Sequence, residues 1–156
     1  MKTKLAFFDI DGTLSAPYYP VDGEMKPGMT DEQWITFCKT YGNDSYRFCK
    51  PVQPVKRYAE QLRAEGVVLY VLSTSQTPEE DASKDKFIER CFPGLFREVL
   101  TVREDAEKIT KIMEFVGRYD VAPGECELVE DTYSVILRAV CSGIKGTHVA
   151  QIVCDL

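Results

Sequence analysis

A short acidic motif directly follows the first apolar segment of the chain, and it reads Phe7-Phe8-Asp9-Ile10-Asp11-Gly12-Thr13-Leu14. The residues from Leu5 to Asp9 are apolar and β-prone, so they predict a strand that ends in a carboxylate. Asp and Gly are also common in ordinary turns, and the motif alone does not establish a site. Whether the motif marks a functional site therefore depends on the other residues that the fold brings beside it.

Beyond the motif, strand-like and helix-like segments alternate. The sequence predicts further strands over residues 67–72, 98–102, 126–129 and 144–149, and helices over residues 54–65, 79–92, 105–119 and 132–142. The run 67–72 is continuously apolar, as in a strand buried on both faces. This alternation predicts an α/β fold, a three-layer Rossmann-like core with a five-stranded parallel sheet and helices on both faces.

Composition sets the broad class of protein. The chain has 156 residues, of which 44% are hydrophobic and 28% charged, as expected for one folded domain. Its longest apolar run, residues 67–72, is far shorter than the ~20 residues of a membrane-spanning helix. Because Asp9 interrupts the first apolar stretch, that stretch does not form the core of a signal peptide. We therefore expect a cytoplasmic protein without a membrane segment.

The charged and metal-binding residue types disfavour some partners. A net charge of −6 disfavours nonspecific binding to nucleic acid, because such binding depends on cations that neutralise phosphates. The six cysteines are scattered and form no Cys-x-x-Cys pair, so we expect reduced and mostly buried thiols rather than disulfides. Cys126 and Cys141 lie in apolar segments and are assigned to the core. The single histidine, His148, is interpreted as structural.

Residues 15–51 interrupt the alternation of strands and helices. This segment is rich in proline and holds seven of the 17 aromatic residues, a composition that favours a small packed core. One helix is predicted from Thr30 to Tyr41, with Thr30 as N-cap and Gln33 at the capping-box position. We therefore divide the chain into a core of residues 1–14 and 52–156 and a small cap insertion of residues 15–51.

Polar residues collect where the predicted strands end. Asp9 and Asp11 follow the first strand, Ser73 follows the second, and Glu130-Asp131 follows the strand that begins at Cys126. Ligands of parallel sheets bind at this edge. Four carboxylates at one edge repel each other and need a cation, and Mg²⁺ suits a carboxylate pair together with a phosphate substrate.

These segments together resemble the haloacid dehalogenase superfamily of phosphatases and phosphotransferases. The resemblance rests on residues 7–14, which have the form hhDxDGTL, on the strand followed by Ser73, and on Val129-Glu130-Asp131-Thr132. It covers the core, and the order and spacing of the three motifs are hard to obtain by chance.

The resemblance implies a role for each matching residue. Asp9 would be the nucleophile and form an aspartyl-phosphate, and Asp11 would act as general acid and then general base. Ser73 would hold the transferring phosphate, with Gly12 and Thr13 shaping the phosphate-binding turn and Thr13 ordering the Asp9 carboxylate. Mg²⁺ would bind Asp9, the backbone carbonyl of Asp11 and Asp131, while Glu130 would be a ligand through water or a neighbour of the ligands.

The phosphate-binding lysine is chosen between two positions. Lys108 lies near the start of its predicted helix, where the helix dipole disfavours a cation, so an anionic tertiary partner is expected. Its spacing of 23 residues from Asp131 also looks like the family's interval. Lys111, one turn later, is the alternative.

The expected reaction is Mg²⁺-dependent hydrolysis of a phosphomonoester. A phosphotransferase or phosphomutase would use the same aspartyl-phosphate, and a catalytically retired binding module is the other alternative. A glycosyltransferase or a receiver domain, two other classes of protein with functional aspartates, would fit the order of these motifs less well. Because the insertion is much smaller than a full cap domain, we expect a partly open site. Such a site would admit a phosphorylated small molecule or the phosphorylated end of a larger one, or be closed by a neighbouring subunit in a homo-oligomer.

Overall fold

The computed structural model describes residues 1–155 and contains nine strands and six α-helices in that range. The strands in chain order are β1 (Leu5–Phe8), β2 (Ser15–Ala16), β3 (Tyr19–Val21), β4 (Glu24–Lys26), β5 (Lys50–Pro51), β6 (Val68–Thr74), β7 (Glu98–Val102), β8 (Cys126–Glu130) and β9 (Lys145–His148). The helices are α1 (Asp31–Tyr41), α2 (Gln53–Ala64), α3 (Pro78–Cys91), α4 (Ala106–Tyr119), α5 (Tyr133–Cys141) and α6 (Val149–Val153).

The central sheet has five parallel strands in the order β7-β6-β1-β8-β9. This arrangement confirms the predicted α/β fold with its five-stranded parallel sheet. The chain moves outward from β1 through β6 to β7, and then returns to the other side of β1 for β8 and β9. The order therefore reverses at β1, and in such sheets the crevice at the carboxyl ends of the strands at this point binds ligands.

Helices cover both faces of the sheet, because side chains along each strand alternate between the two faces. Ala6 and Phe8 of β1 pack in one cluster of buried residues with α2 and α3, while Leu5 and Phe7 pack in a second cluster with α4 and α5. Every residue of β1 is buried, which is why the segment reads as a continuous apolar run. The result is the predicted three-layer core.

The last predicted strand is shorter than expected. Residues 144–149 were predicted to be extended, but β9 ends at His148 and Val149 begins α6. His148 caps this helix, since its Nδ1 accepts a hydrogen bond from the Ala150 N–H (3.0 Å). The prediction was wrong at this point because a side-chain cap ended a segment whose apolar residues fit either structure.

The insertion of residues 15–51 begins and ends at a short antiparallel pairing of β2 with β5. Inside it, β3 and β4 form a hairpin, and α1 begins after Thr30 with the predicted capping box to Gln33. Several of its aromatic rings pack against one another, as expected for a small packed core. This core is continuous with the sheet, because Tyr46 and Phe37 belong to the same buried cluster as Phe8.

The cysteines only partly match expectation. All six are free thiols, and Cys126 is buried as predicted. Cys141 is exposed, which contradicts its assignment to the core, because it lies on the outer side of the last turn of α5. Within residues 1–155, no helix is both long and apolar enough to cross a membrane.

Candidate active site

The candidate site lies where β1 and β8 end side by side. Asp9 follows β1 directly, and its backbone N–H donates a hydrogen bond to the Val129 carbonyl of β8 (3.0 Å). The register of the two strands therefore brings Asp9 next to Glu130 and Asp131 at the same edge of the sheet. One carboxylate oxygen from each of these three residues lies within 4.8 Å of the other two.

Lys108 supplies a buried cation to this group. Its Nζ donates to Asp9 Oδ1 (2.9 Å) and to Glu130 Oε2 (2.7 Å), and its side chain is almost completely buried. Burial opposes the lysine charge, but the two carboxylates outweigh this effect and hold the pKa of Lys108 above its ordinary value. Lys111, the alternative, forms an ion pair with Glu114 on the surface (3.0 Å) and makes no contact with Asp9. The structure thus brings Lys108 and not Lys111 to the strand ends.

The three carboxylates carry more negative charge than Lys108 compensates. Burial raises the pKa of Asp9 to about 7, an effect that Lys108 opposes and that neighbouring carboxylates reinforce. Burial likewise raises the pKa of Glu130 and of Asp131. With all three ionised, one ammonium leaves an excess of two negative charges. A divalent cation with oxygen ligands would balance this excess, so the donor set fits Mg²⁺.

Both carboxylate oxygens of Glu130 already accept hydrogen bonds. Its Oε2 accepts from Lys108, and its Oε1 accepts from the backbone N–H groups of Asp131 (3.1 Å) and Thr132 (3.3 Å). These bonds fix the start of the loop that carries the Asp131 carboxylate. The geometry therefore favours Glu130 as a neighbour that orients Lys108 and Asp131, the second of the two positions predicted for it.

Gly12 shapes the turn between β1 and the insertion. Its backbone has a φ of +76°, and a Cβ at this position would meet Asp131 Oδ2 at 2.2 Å. Its N–H donates to the Ser15 carbonyl (3.1 Å), so this group serves the turn. The Thr13 N–H likewise donates to the Ile10 carbonyl (3.1 Å). The Thr13 hydroxyl is buried without a partner among the described residues, and its expected contact with the Asp9 carboxylate is not formed.

Asp11 makes its side-chain contacts with the insertion and with α3. Its Oδ1 accepts a hydrogen bond from the Tyr46 hydroxyl (2.7 Å), and its Oδ2 lies 3.4 Å from the Nζ of Lys84. Lys84 is completely buried in α3, and its Nζ also donates to Ser73 Oγ (2.8 Å). A second buried lysine therefore links Ser73 at the end of β6 to Asp11.

Tyr46 and Lys84 are site residues that the motifs do not contain. Lys84 occupies the first position of the spacing 84, 87, 88 and 91, and the other three residues are Phe87, Ile88 and Cys91 of the buried face of α3. A lysine in an apolar i, i+3, i+4, i+7 stripe needs a buried anion, and this signal would have identified it. Tyr46 had no such signal, because only the folded insertion brings it to Asp11.

His148 also supports the loop that carries Asp131. Its Nε2 lies 2.8 Å from the Asp131 backbone carbonyl, and its Nδ1 accepts from Ala150. Nε2 is therefore the nitrogen that carries the proton and donates to Asp131. His148 is structural, as predicted, and the structure it holds includes a candidate metal ligand.

The fold of this chain is similar to that of solved haloacid dehalogenase-like hydrolases and phosphatases. Solved structures that resemble the chain include a protein from Lactobacillus delbrueckii subsp. bulgaricus described as a phosphoglycolate phosphatase, with 18% identity and a TM-score of 0.65 over 95% of this chain and 86% of the other. A hydrolase of the haloacid dehalogenase-like family from Streptococcus pneumoniae has 20% identity and a TM-score of 0.59 over 92% of this chain and 83% of the other.

A third similar structure is a 3-deoxy-D-manno-octulosonate 8-phosphate phosphatase from Moraxella catarrhalis, which contains magnesium and phosphate ions. It has 16% identity and a TM-score of 0.54 over 88% of this chain and 62% of the other. Neither a protein-family model nor a curated protein sequence matches the chain. At these identities the likeness concerns the fold, and the activity has to be argued from the site.

Proposed function

We propose that this protein is a Mg²⁺-dependent phosphomonoester hydrolase that forms an aspartyl-phosphate on Asp9. The observation that carries the proposal is the Asp9 carboxylate itself, which is buried at the carboxyl end of β1. It bonds to Lys108 and lies within 4.8 Å of the Glu130 and Asp131 carboxylates. A carboxylate beside a fixed cation and a metal-binding group is equipped to attack a phosphorus atom.

Asp9 and Asp131 would hold the metal ion, with the backbone carbonyl of Asp11 as a third protein ligand. When bound, Mg²⁺ neutralises charge on the phosphate and on the carboxylates. Lys108 favours the ionised form of the Asp9 carboxylate and orients it for attack, because its ammonium bonds directly to Oδ1. Glu130 holds Lys108 in this position.

The remaining residues would handle the phosphate and the proton. Asp9 attacks phosphorus and the ester P–O bond breaks, while Asp11 donates a proton to the departing oxygen. Asp11 then takes a proton from a water molecule that attacks the aspartyl-phosphate, and this step releases phosphate and restores Asp9. Ser73 lies at the end of the neighbouring strand, where its hydroxyl and N–H would bind the transferring phosphate together with Lys108.

Phosphate release from p-nitrophenyl phosphate, with and without Mg²⁺, tests this proposal. Asp9→Asn removes the nucleophile while keeping the side-chain shape, so we expect complete loss of turnover in a folded protein. Lys111→Met is the matched control, because it removes a surface lysine of the same helix and should leave turnover unchanged. Turnover by Asp9→Asn at the wild-type rate would contradict the covalent mechanism.

With a substrate that carries a radioactive phosphate label, acid quenching during turnover should trap a labelled phosphoenzyme. Hydroxylamine should release the label from the protein, because acyl-phosphates react with hydroxylamine. If label moved to an added alcohol or sugar phosphate in preference to water, the protein would be a phosphotransferase or mutase. If no ester were turned over and no phosphoenzyme formed, the binding-module alternative would replace the enzyme. The cytoplasmic location stays a prediction.

A further inference from the structure

A small cavity opens beside Asp11, and Asp9 is not among the residues that line it. It has a volume of about 280 Å³ and lies between the insertion and the start of α3. Its aromatic wall consists of Tyr19, Trp34 and Tyr46. The ring centroids of Trp34 lie 5.8 Å from Tyr19 and 6.3 Å from Tyr46, at interplanar angles of 71° and 73°. The wall is therefore made of rings that stand at steep angles to each other.

The polar residues of this cavity are acidic. They are Asp11, Asp31 and Glu80, and none of the described residues that line the cavity is basic. Lys84 lies buried behind them, with its Nζ 3.4 Å from Asp11 and 3.6 Å from Glu80. Because Lys84 neutralises one of the three carboxylates, the cavity keeps an excess of two negative charges. Asp31 lies exposed at the start of α1, and its carboxylate takes part in no ion pair or hydrogen bond within residues 1–155.

We infer that this cavity binds a cationic leaving group, so that the substrate is the phosphomonoester of an amino alcohol. The inference rests on the proposed function, because Asp11 protonates the departing oxygen and also forms part of the cavity wall. The group attached to that oxygen must therefore extend past Asp11. Aromatic rings and carboxylates together attract ammonium groups, quaternary ones especially. A carboxylate or a second phosphate would instead be repelled.

The size of the cavity also favours a small substituent. Its volume of about 280 Å³ lies just below the ~300–1,000 Å³ found for small-molecule sites, which suits a short chain ending in an ammonium group. Tyr19 and Tyr46 are almost completely buried and therefore fixed, and the Lys84 ammonium lies 5.8 Å from the Tyr46 ring centroid. Trp34 is the partly exposed ring of the wall, and it is the one that a ligand can contact. A rigid wall loses little conformational entropy on binding.

Binding can be tested separately from catalysis, because Trp34 is the only tryptophan in the chain. Choline and 3,3-dimethyl-1-butanol have the same shape, but only choline is charged. We expect choline to change Trp34 fluorescence with an affinity about tenfold above that of the neutral alcohol, equivalent to about 1.4 kcal/mol. Equal affinity for the two alcohols would overturn the inference.

The catalytic arm compares phosphocholine with 3,3-dimethylbutyl phosphate. We expect kcat/KM to be about tenfold higher for the cationic ester. Asp31→Asn should reduce this ratio about two- to fivefold, as for the loss of one exposed ion pair, and Asp31→Lys should reduce it further. Glu89→Gln, which removes an exposed carboxylate elsewhere on α3, should leave the ratio unchanged.

The possible results separate the two proposals. If the protein hydrolyses both esters with equal kcat/KM, the cationic pocket is wrong while the hydrolase proposal stands. If no ester is hydrolysed but choline still binds selectively over its neutral analogue, the hydrolase proposal fails and the pocket remains. A ratio that Asp31→Lys does not lower would also overturn the inference, because the charge of the cavity would then not act on the substrate.

Discussion

Replacing Tyr46 by Phe should weaken the protonation step selectively. The Tyr46 hydroxyl donates to Asp11 Oδ1 at 2.7 Å, and the ring packs against Phe87 at a centroid distance of 6.1 Å. Phe keeps the ring and removes only the hydroxyl, so the fold should survive. Asp11 then loses one of the two contacts that hold it beside the cavity proposed for the leaving group.

The structure sets the size of the expected effect. A hydrogen bond to a charged group contributes about 1.5–3 kcal/mol. The Asp11 side chain is 53% exposed, so water replaces part of the lost bond, and Lys84 remains 3.4 Å from the other oxygen. We therefore take the lower end, about 1.5 kcal/mol, which corresponds to roughly a tenfold fall in the rate of a step that depends on Asp11.

A comparison of leaving groups gives the decisive measurement. An alkyl phosphate needs a proton on its departing oxygen, whereas p-nitrophenyl phosphate has an activated leaving group that depends on it much less. We expect kcat for the alkyl ester to fall about tenfold and kcat for p-nitrophenyl phosphate to fall far less. The control is Tyr18→Phe, which removes the hydroxyl of an exposed tyrosine of the insertion.

Two outcomes would refute the reasoning. An equal fall for both esters would mean that Tyr46 supports the site as a whole and not the acid. A variant as fast as the wild type on the alkyl ester would mean that the hydroxyl does not hold Asp11 where the proton is needed.

Three further predictions concern the metal and the insertion. Gly12→Ala should abolish the Mg²⁺ binding that calorimetry measures, because the new Cβ would meet Asp131 Oδ2 at 2.2 Å. Gly66→Ala is the control: this position also has a positive φ but has open space around it, so the substitution should only lower the melting temperature. Burial raises the pKa of Asp9 from 3.8 to about 7, so the folded metal-free protein keeps a proton that the unfolded chain has lost, and this group makes stability fall as pH rises through that interval. Mg²⁺ competes with that proton, so thermal shifts should show a larger stabilisation above pH 7 than at about pH 5, and Asp9→Asn should reduce the difference. Deleting residues 23–28 should alter substrate preference and KM more than the turnover of p-nitrophenyl phosphate, and loss of that turnover in a folded protein would show that the hairpin completes the catalytic site.

The core of the fold could be predicted because its signals are local. Buried parallel strands read as apolar runs, and helices with one buried face repeat at 3.6 residues, so β6 and α4 were found with nearly their observed limits. The β3–β4 hairpin was missed, although the Asp22-Gly23 pair at its tip is a recognised turn signal and both residues have positive φ. The capping of α6 by His148 was missed because apolar residues there fit a strand or a helix equally well.

The site was predictable where its residues directly follow strands of the sheet. Asp9 and Asp131 follow neighbouring strands, so the topology of the sheet alone brings them together. The partners of Asp11 could not be found in this way, since Tyr46 lies 35 residues away in a segment without regular spacing. Lys84 lay in the pattern of α3 but went unnoticed, because a single charged residue in an apolar stripe is easily taken for a surface position.

The packing of the insertion against the core prevents it from acting as a free lid. Tyr46 contacts Asp11, the proposed general acid, and belongs to the buried cluster that contains Phe8 of the central strand. The Ser45 N–H donates to Ser83 Oγ of α3 (3.1 Å), and Arg90 of the same helix donates to the Tyr46 carbonyl (2.9 Å). Opening the insertion would break these contacts and expose buried aromatic surface, a cost that a small lid cannot recover from one substrate. Substrate selection in this protein should therefore depend on a preformed wall of aromatic and acidic side chains, and changes of specificity should come from residues of that wall and not from hinge positions at β2 and β5.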